Sequence, residues 1–295
     1  MSELFPGVRS EIFDHDGVRI VFRRTGEGPP LLLLHGFPQT HAIWHRIAPL
    51  LASRFSLVMP DLRGYGDSSK PVTSTDHAPY SKRVMAGDVS ALMQALGHGR
   101  YFVCGHDRGG RVSHRLALDQ ADAVRRLMVL DIAPTRTMYQ RTTMEFARLY
   151  YHWFFLIQPA PLPETLIGAD PALYLRVKLG AWGAGGIGNF DERALAEYVR
   201  CFTPPAIHAM CEDYRASAGI DLEHDRADEA QRIRCPVHAL WGARGVIERL
   251  FTPLADWQAK AAATVTGRAL PCGHYIPEEL PEVLASEIIA FFGAT

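Results

Sequence analysis

This chain lacks an excess of positive charge. Lys and Arg number 31 against 32 Asp and Glu in 295 residues. A nucleic-acid or anionic-membrane partner draws on a basic surplus, so neither is expected. Long apolar runs are missing too, and none approaches a membrane span. The first residues, MSELFPGVRSEIF, carry no basic region followed by an apolar stretch, so no secretory leader is expected. Cysteine is sparse and odd in number: Cys104, Cys201, Cys211, Cys235 and Cys272 are scattered without paired spacing. That argues against a disulfide framework or a zinc site, and for reduced thiols in the cytoplasm. No internal repeat or low-complexity tract is found, which excludes solenoids.

What is present is an alternation. Val18 to Arg23 reads as a strand. Leu31 to Leu34 and Phe55 to Met59 are apolar runs of buried parallel-strand type, ending at HGFP and PDLRGYGDSS. Ser81 to Leu96 has helical spacing and stops at Gly97. Tyr101 to Cys104 predicts a strand, followed by a turn and a helix, and Leu127 to Leu130 predicts a strand ending at Asp131. This order is that of a parallel sheet covered by helices. From Thr135 to about Tyr214 the chain is rich in aromatics and helix formers, which predicts a helical insertion. Strand patterns return at Pro236 to Trp241 and near Thr264 to Leu270, and a last helix is expected from about Glu278. The expected fold is a doubly wound, mostly parallel α/β sheet with an inserted helical cap. Its core is 1–134 and 216–295, its cap 135–215. Ligands in such sheets bind at the carboxyl ends of strands, where His35, Asp61, Asp107, Asp131 and His274 fall.

The stretch CGHDRGGR, Cys104 to Arg111, sits at a predicted strand-to-helix turn. Gly105, Gly109 and Gly110 supply the small residues that a nucleophile elbow demands. Its central residue is Asp107, where many hydrolases have serine. Asp107 could merely cap the following helix. The partners weigh against that. Asp131 ends the next strand and His274 follows a late one, so nucleophile, acid and histidine come in the order expected of this fold. The other slot for the acid, in WGARGVIE after Trp241, holds no Asp, and Glu248 is the weaker substitute. HGFP would supply the Phe37 backbone N–H to an oxyanion hole, with a second N–H from Arg108. DLRGYGDSS reads as a structural loop.

A carboxylate is ionised at neutral pH and can displace a leaving group from an sp³ carbon. The resulting ester on Asp107 can then be cleaved by water that His274 deprotonates. Asp at the elbow therefore points to dehalogenation or epoxide opening. Water and the triad suffice, so no metal or organic cofactor is expected.

The runs HGFPQTHAIWHRIAPLL, PDLRGYGDSSKP, GHDRGGRVSHRLALD and LDIAPT resemble the fluoroacetate dehalogenases of the α/β-hydrolase superfamily. So do YYHWFF, DYRA with the IDLEHD after it, and PCGH. The likeness covers almost the whole chain, and HDRGGR with HW in the cap is its sharpest part. It implies Asp107 as nucleophile, His274 as base and Asp131 as its partner. It further implies Arg108 and Arg111 as holders of a substrate carboxylate, and His152, Trp153 and Tyr214 as donors to the leaving halide. Trp182 would line the pocket. A small haloacid substrate and a homodimer meeting through the cap are also implied. Without the resemblance the two arginines could pair with neighbouring acids on the surface, and HW in an aromatic helix could be cap core.

WGARGVIE and PCGHYIPEE depart from the family pattern, with Cys272 where glycine is commoner. They put in doubt which halide and which acid length the pocket takes. Three rivals stand beside this reading. An epoxide hydrolase would use two cap tyrosines, for which Tyr139, Tyr150, Tyr151, Tyr174 and Tyr198 are available. A haloalkane dehalogenase would have Trp after the nucleophile. A non-catalytic receptor for a carboxylic acid would keep only the arginines and the cap.

Overall fold

The computed structural model describes residues 4–293. Eight strands form one sheet: β1 (Ser10–His15), β2 (Val18–Thr25), β3 (Pro30–Leu34), β4 (Ser56–Pro60), β5 (Tyr101–His106), β6 (Val124–Leu130), β7 (Val237–Gly242) and β8 (Val265–Leu270). Their spatial order is β1-β2-β4-β3-β5-β6-β7-β8. β1 and β2 pair antiparallel, as do β2 and β4. All other neighbours run parallel.

The apolar runs explain the layering. Alternate residues of β3 enter opposite cores: Leu32 and Leu34 pack with Val89, Leu92, Val112 and Leu116, while Leu31 and Leu33 pack with Trp44, Leu51, Leu284 and Ile288. A strand buried on both faces has no polar alternation to show, which is why β3 reads as a continuous run. Each such leucine, fully buried, contributes about 1.5–3 kcal/mol of transfer free energy. The helices Lys82–Ala95 and Arg108–Asp119 cover one face, and Pro281–Gly293 lies on the other.

Between β6 and β7 the chain leaves the sheet. It runs as short helices from Thr135–Gln140 through Tyr151–Phe155, Pro171–Trp182 and Pro204–Ala218 to Ile220–Ala227. This is the expected helical insertion. Residue 215, taken as its end, lies inside the helix Pro204–Ala218. The strands expected from sequence are all present, mostly starting or ending one or two residues away. β1 was not expected. It turns into β2 through Asp16 and Gly17, both at positive φ, the Asp-Gly pairing of a tight hairpin. No helix among the described residues is long and apolar enough to cross a membrane. All five cysteines are free and buried.

Candidate active site

The HGFP turn and the elbow meet at the carboxyl ends of β3 and β5. Asp107 follows β5 directly, with φ 45° and ψ −114°. That backbone is costly for a non-glycine residue and is kept only where packing enforces it. Gly105 makes the enforcement feasible: a Cβ there would meet the Ser113 side chain and lie 2.6 Å from the Gly109 carbonyl. Gly36 is needed for the same reason from the other side, since its Cβ would lie 2.6 Å from the Asp107 Cβ and 2.9 Å from the Arg108 nitrogen. The backbones of HGFP and the elbow are therefore in contact. The Phe37 N–H donates to Asp107 Oδ2 at 3.0 Å. The side chain of Asp107 does not cap its helix, which removes the capping reading.

Asp131 follows β6 with φ 51°. One of its oxygens accepts the Gly242 N–H at 2.8 Å, and the other lies 2.5 Å from His274 Nδ1. The acid thus spans the carboxyl ends of two strands and holds the ring of the histidine delivered by the loop after β8. Glu248 instead accepts from the Trp241 indole N–H and stays away from His274. The second ring of the site, His106, contacts the backbone carbonyl of His274 at 2.9 Å. Burial disfavours a charged His274, but the hydrogen bond and charge of Asp131, with Asp107 behind them, outweigh it and raise its pKa. For Asp107 burial pushes the carboxyl up, yet His274, Arg111 and Arg108 together hold it below the ordinary carboxylate value. It is an anion at neutral pH.

The two arginines have different surroundings. Arg108 is fully buried against Asp213, with Nε 2.9 Å and Nη2 2.7 Å from its carboxylate oxygens, and Nη2 also meets Ser217 at 2.5 Å. Its Nη1 has no hydrogen-bond partner among the described residues. The neighbouring-acid reading therefore holds for Arg108, although the acid is in the core rather than on the surface. Asp213 also accepts from Tyr65 at 2.6 Å and from Lys82. Arg111 donates to the Ala133 carbonyl at 3.2 Å and to Thr135 at 2.9 Å, and its Cζ stands 4.7 Å from the Trp153 ring centroid. Its Nε is unpartnered, and no carboxylate among the described residues hydrogen-bonds to it. Asp107 supplies a nearby counter-charge, but with no hydrogen-bonded carboxylate Arg111 keeps a donor for an arriving anion.

The cap closes over these groups with aromatic side chains. His152 stacks on Phe37 at 6.0 Å and touches Trp182 at 4.4 Å between ring centroids. Tyr214 lies edge-on to Phe37 at 5.3 Å, and the Arg108 Cζ stands 4.2 Å from its ring centroid. Trp153 is 6.4 Å from Tyr214, and Trp182 is 5.6 Å from His274. His152 Nδ1 and Tyr214 Oη are buried with no partner among the described residues. Facing the same site, these two atoms are available to bond a ligand atom. Burial, followed by the charge of Lys178, drives the His152 pKa well down, so its imidazole is neutral. All the residues expected for the site are thus brought together.

Two groups were missed by sequence reasoning. Asp213 lay within DYRA, but nothing local distinguishes a core anchor from a surface acid. Glu279 accepts the N–H groups of Gly273 at 2.9 Å and Tyr275 at 3.0 Å, on either side of His274, and that of Ala184 in the cap at 2.9 Å. Only the structure brings these three amides to one carboxylate. Asp67, Glu197 and Cys201 come close enough to suggest a metal, but the Arg200 guanidinium already bridges the two acids. DLRGYGDSS is structural, as expected: Asp61 accepts from the His41 and Asp67 amides at 2.8 and 3.0 Å, and Arg63 pairs with Asp88 at 2.5 Å.

The family model for the alpha/beta hydrolase fold matches residues 29–200. A fluoroacetate dehalogenase from Burkholderia sp is 46% identical over 280 residues, 95% of this chain and 92% of its own. A soluble epoxide hydrolase from Corynebacterium sp. (strain C12) is 35% identical over 280 residues, 94% of each chain. Among solved structures, one put forward as an alpha/beta hydrolase from Nostoc sp PCC 7120 superposes with a TM-score of 0.96 at 54% identity, covering 98% of this chain and 99% of its own. With the elbow, the acid, the histidine and the cap in these positions, the chain belongs to the α/β-hydrolase family and, within it, to the fluoroacetate dehalogenases.

Proposed function

We propose that the protein hydrolyses a small 2-haloacid, converting haloacetate and water to glycolate, halide and a proton. The observation that carries this reading is Arg111, buried beside Asp107 with no acid of its own. Its unpartnered Nε is a donor for one carboxylate, which Arg111 would hold together with the free Nη1 of Arg108. The halogen end then faces His152, Trp153 and Tyr214. Asp107 attacks the carbon from the side opposite the halogen; the C–O bond forms as the carbon–halogen bond breaks, and the halide leaves with the electron pair. Fluoride is a poor leaving group and a strong acceptor, so donors placed in advance lower the barrier as its charge develops.

The ester on Asp107 is opened by water. His274 takes the proton, and hydroxide adds to the carboxyl carbon of Asp107. The oxyanion is held by the Phe37 and Arg108 N–H groups. On collapse the proton passes from His274 to the departing glycolate oxygen, and Asp107, left as a carboxylic acid, releases its proton to water and returns as a carboxylate. Asp131 keeps the ring oriented and steadies its charge.

The test is halide release from fluoroacetate and chloroacetate by purified protein. Asp107→Asn should abolish it, and Arg111→Ala should reduce it mainly through KM. Repeated turnover in heavy-oxygen water should label the Asp107 carboxylate. No halide from either acid would sink the reading. Epoxide hydrolysis is the second reading, favoured by the Corynebacterium relative and by Tyr139 and Tyr214, whose buried hydroxyls lack partners among the described residues. It leaves Arg111 without a task, and styrene oxide turnover decides it.

The same reading includes a homodimer joined through the cap. Leu162, Leu166, Leu173 and Val177 on two cap helices are each at least half exposed, apolar surface that a partner would cover. Five buried thiols support a cytoplasmic location.

A further inference from the structure

A cavity of about 340 Å³ opens between cap and core and reaches His274 and Trp182. Its walls carry Arg148, Lys178, Arg244 and Arg249. Arg249 pairs with Glu145. The other three have no ion pair among the described residues. Lys178 is the unusual one: it is 2% exposed, and its Nζ stands 3.4 Å from the Tyr151 ring centroid and 5.4 Å from that of Trp182. Aromatic faces stabilise an ammonium but offer it no anion. Two arginines and a lysine without ion-pair partners around one cavity, which reaches His274, make a field that concentrates small anions.

We propose that Arg148, Lys178 and Arg244 form an outer anion-binding vestibule, which gathers a small carboxylate before it passes His274 and Trp182 to Arg111. The inference of a carboxylate as its occupant rests on the haloacid reading; the vestibule as an anion site does not. Burial pushes the Lys178 ammonium down to about 7, so an arriving anion also restores its charge.

Trp182 makes the vestibule observable without turnover. It is the partly exposed tryptophan, whereas Trp44, Trp153, Trp241 and Trp257 are buried. The ratio of iodide to acrylamide quenching should therefore fall in the double variant Arg148→Gln/Arg244→Gln and in Lys178→Met. Both arginines are exposed, so the double variant keeps the fold. In turnover, kcat/KM for chloroacetate should fall about tenfold in the double variant at low ionic strength, carried by KM, and its salt dependence should flatten. Unchanged iodide quenching together with an unchanged salt slope overturns the vestibule. Should the wild type release no halide while quenching behaves as described, the haloacid reading falls and the anion site stands.

Discussion

At the scale of single residues, the site is governed by which charges have partners. His274 has Asp131. In the proposed mechanism His274 is the base and works only when neutral. Its pKa is raised above the ordinary 6.5, so ester hydrolysis should switch on as pH rises through a value above that of free imidazole. Asp131→Asn should move the acid limb of the kcat profile downward while lowering kcat by about 10³–10⁴-fold, because the ring loses its orientation. Steady-state halide release across pH checks both. A limb that stays in place would mean that Asp131 does not set the titration. Much of this was legible in advance: Asp107, Asp131 and His274 follow strand-like runs, and their order is diagnostic. What Arg108 does was not. The family resemblance implies Arg108 as a holder of a substrate carboxylate, yet most of its fork is spent on Asp213, more than a hundred residues away.

At the scale of elements, that contact fastens the helix Arg108–Asp119 to the cap helix Pro204–Ala218. Lys82, at the start of a third helix, joins through the same Asp213. Removing the carboxylate leaves the buried Arg108 unpaired and Lys82 with only Asp221, 3.5 Å from its Nζ. Asp213→Ala should therefore cost about 3–5 kcal/mol of stability, seen as a lower denaturation midpoint. A loss below about 1 kcal/mol would place the pair among weakly coupled surface bridges. Strand runs such as Leu31 to Leu34 were readable because burial on both faces removes polar alternation. β1 was not, because its residues alternate between exposed and half-buried and its pairing is local to Asp16-Gly17. The cap was readable as helical through its composition, but its individual helices are short and end where packing dictates, so residue 215 falls mid-helix.

For the whole molecule, cap and core meet around the loop that carries His274. The His274 N–H donates to the Trp182 carbonyl of the cap at 2.9 Å. Glu279 holds Gly273 and Tyr275 in the core and Ala184 in the cap. In Glu279→Ala, amide exchange should quicken at Ala184 and at Gly273 and Tyr275 together, read by mass spectrometry of the peptides containing them. Exchange that quickens in one segment only would show the two to be independent. The Glu279 carboxylate is thus a clasp with two leaves. A cap that lifts to admit substrate must either unfasten it or carry the histidine's loop along. In both cases the open molecule is one whose base has lost a hold, so admission and proton transfer belong to different moments of the cycle.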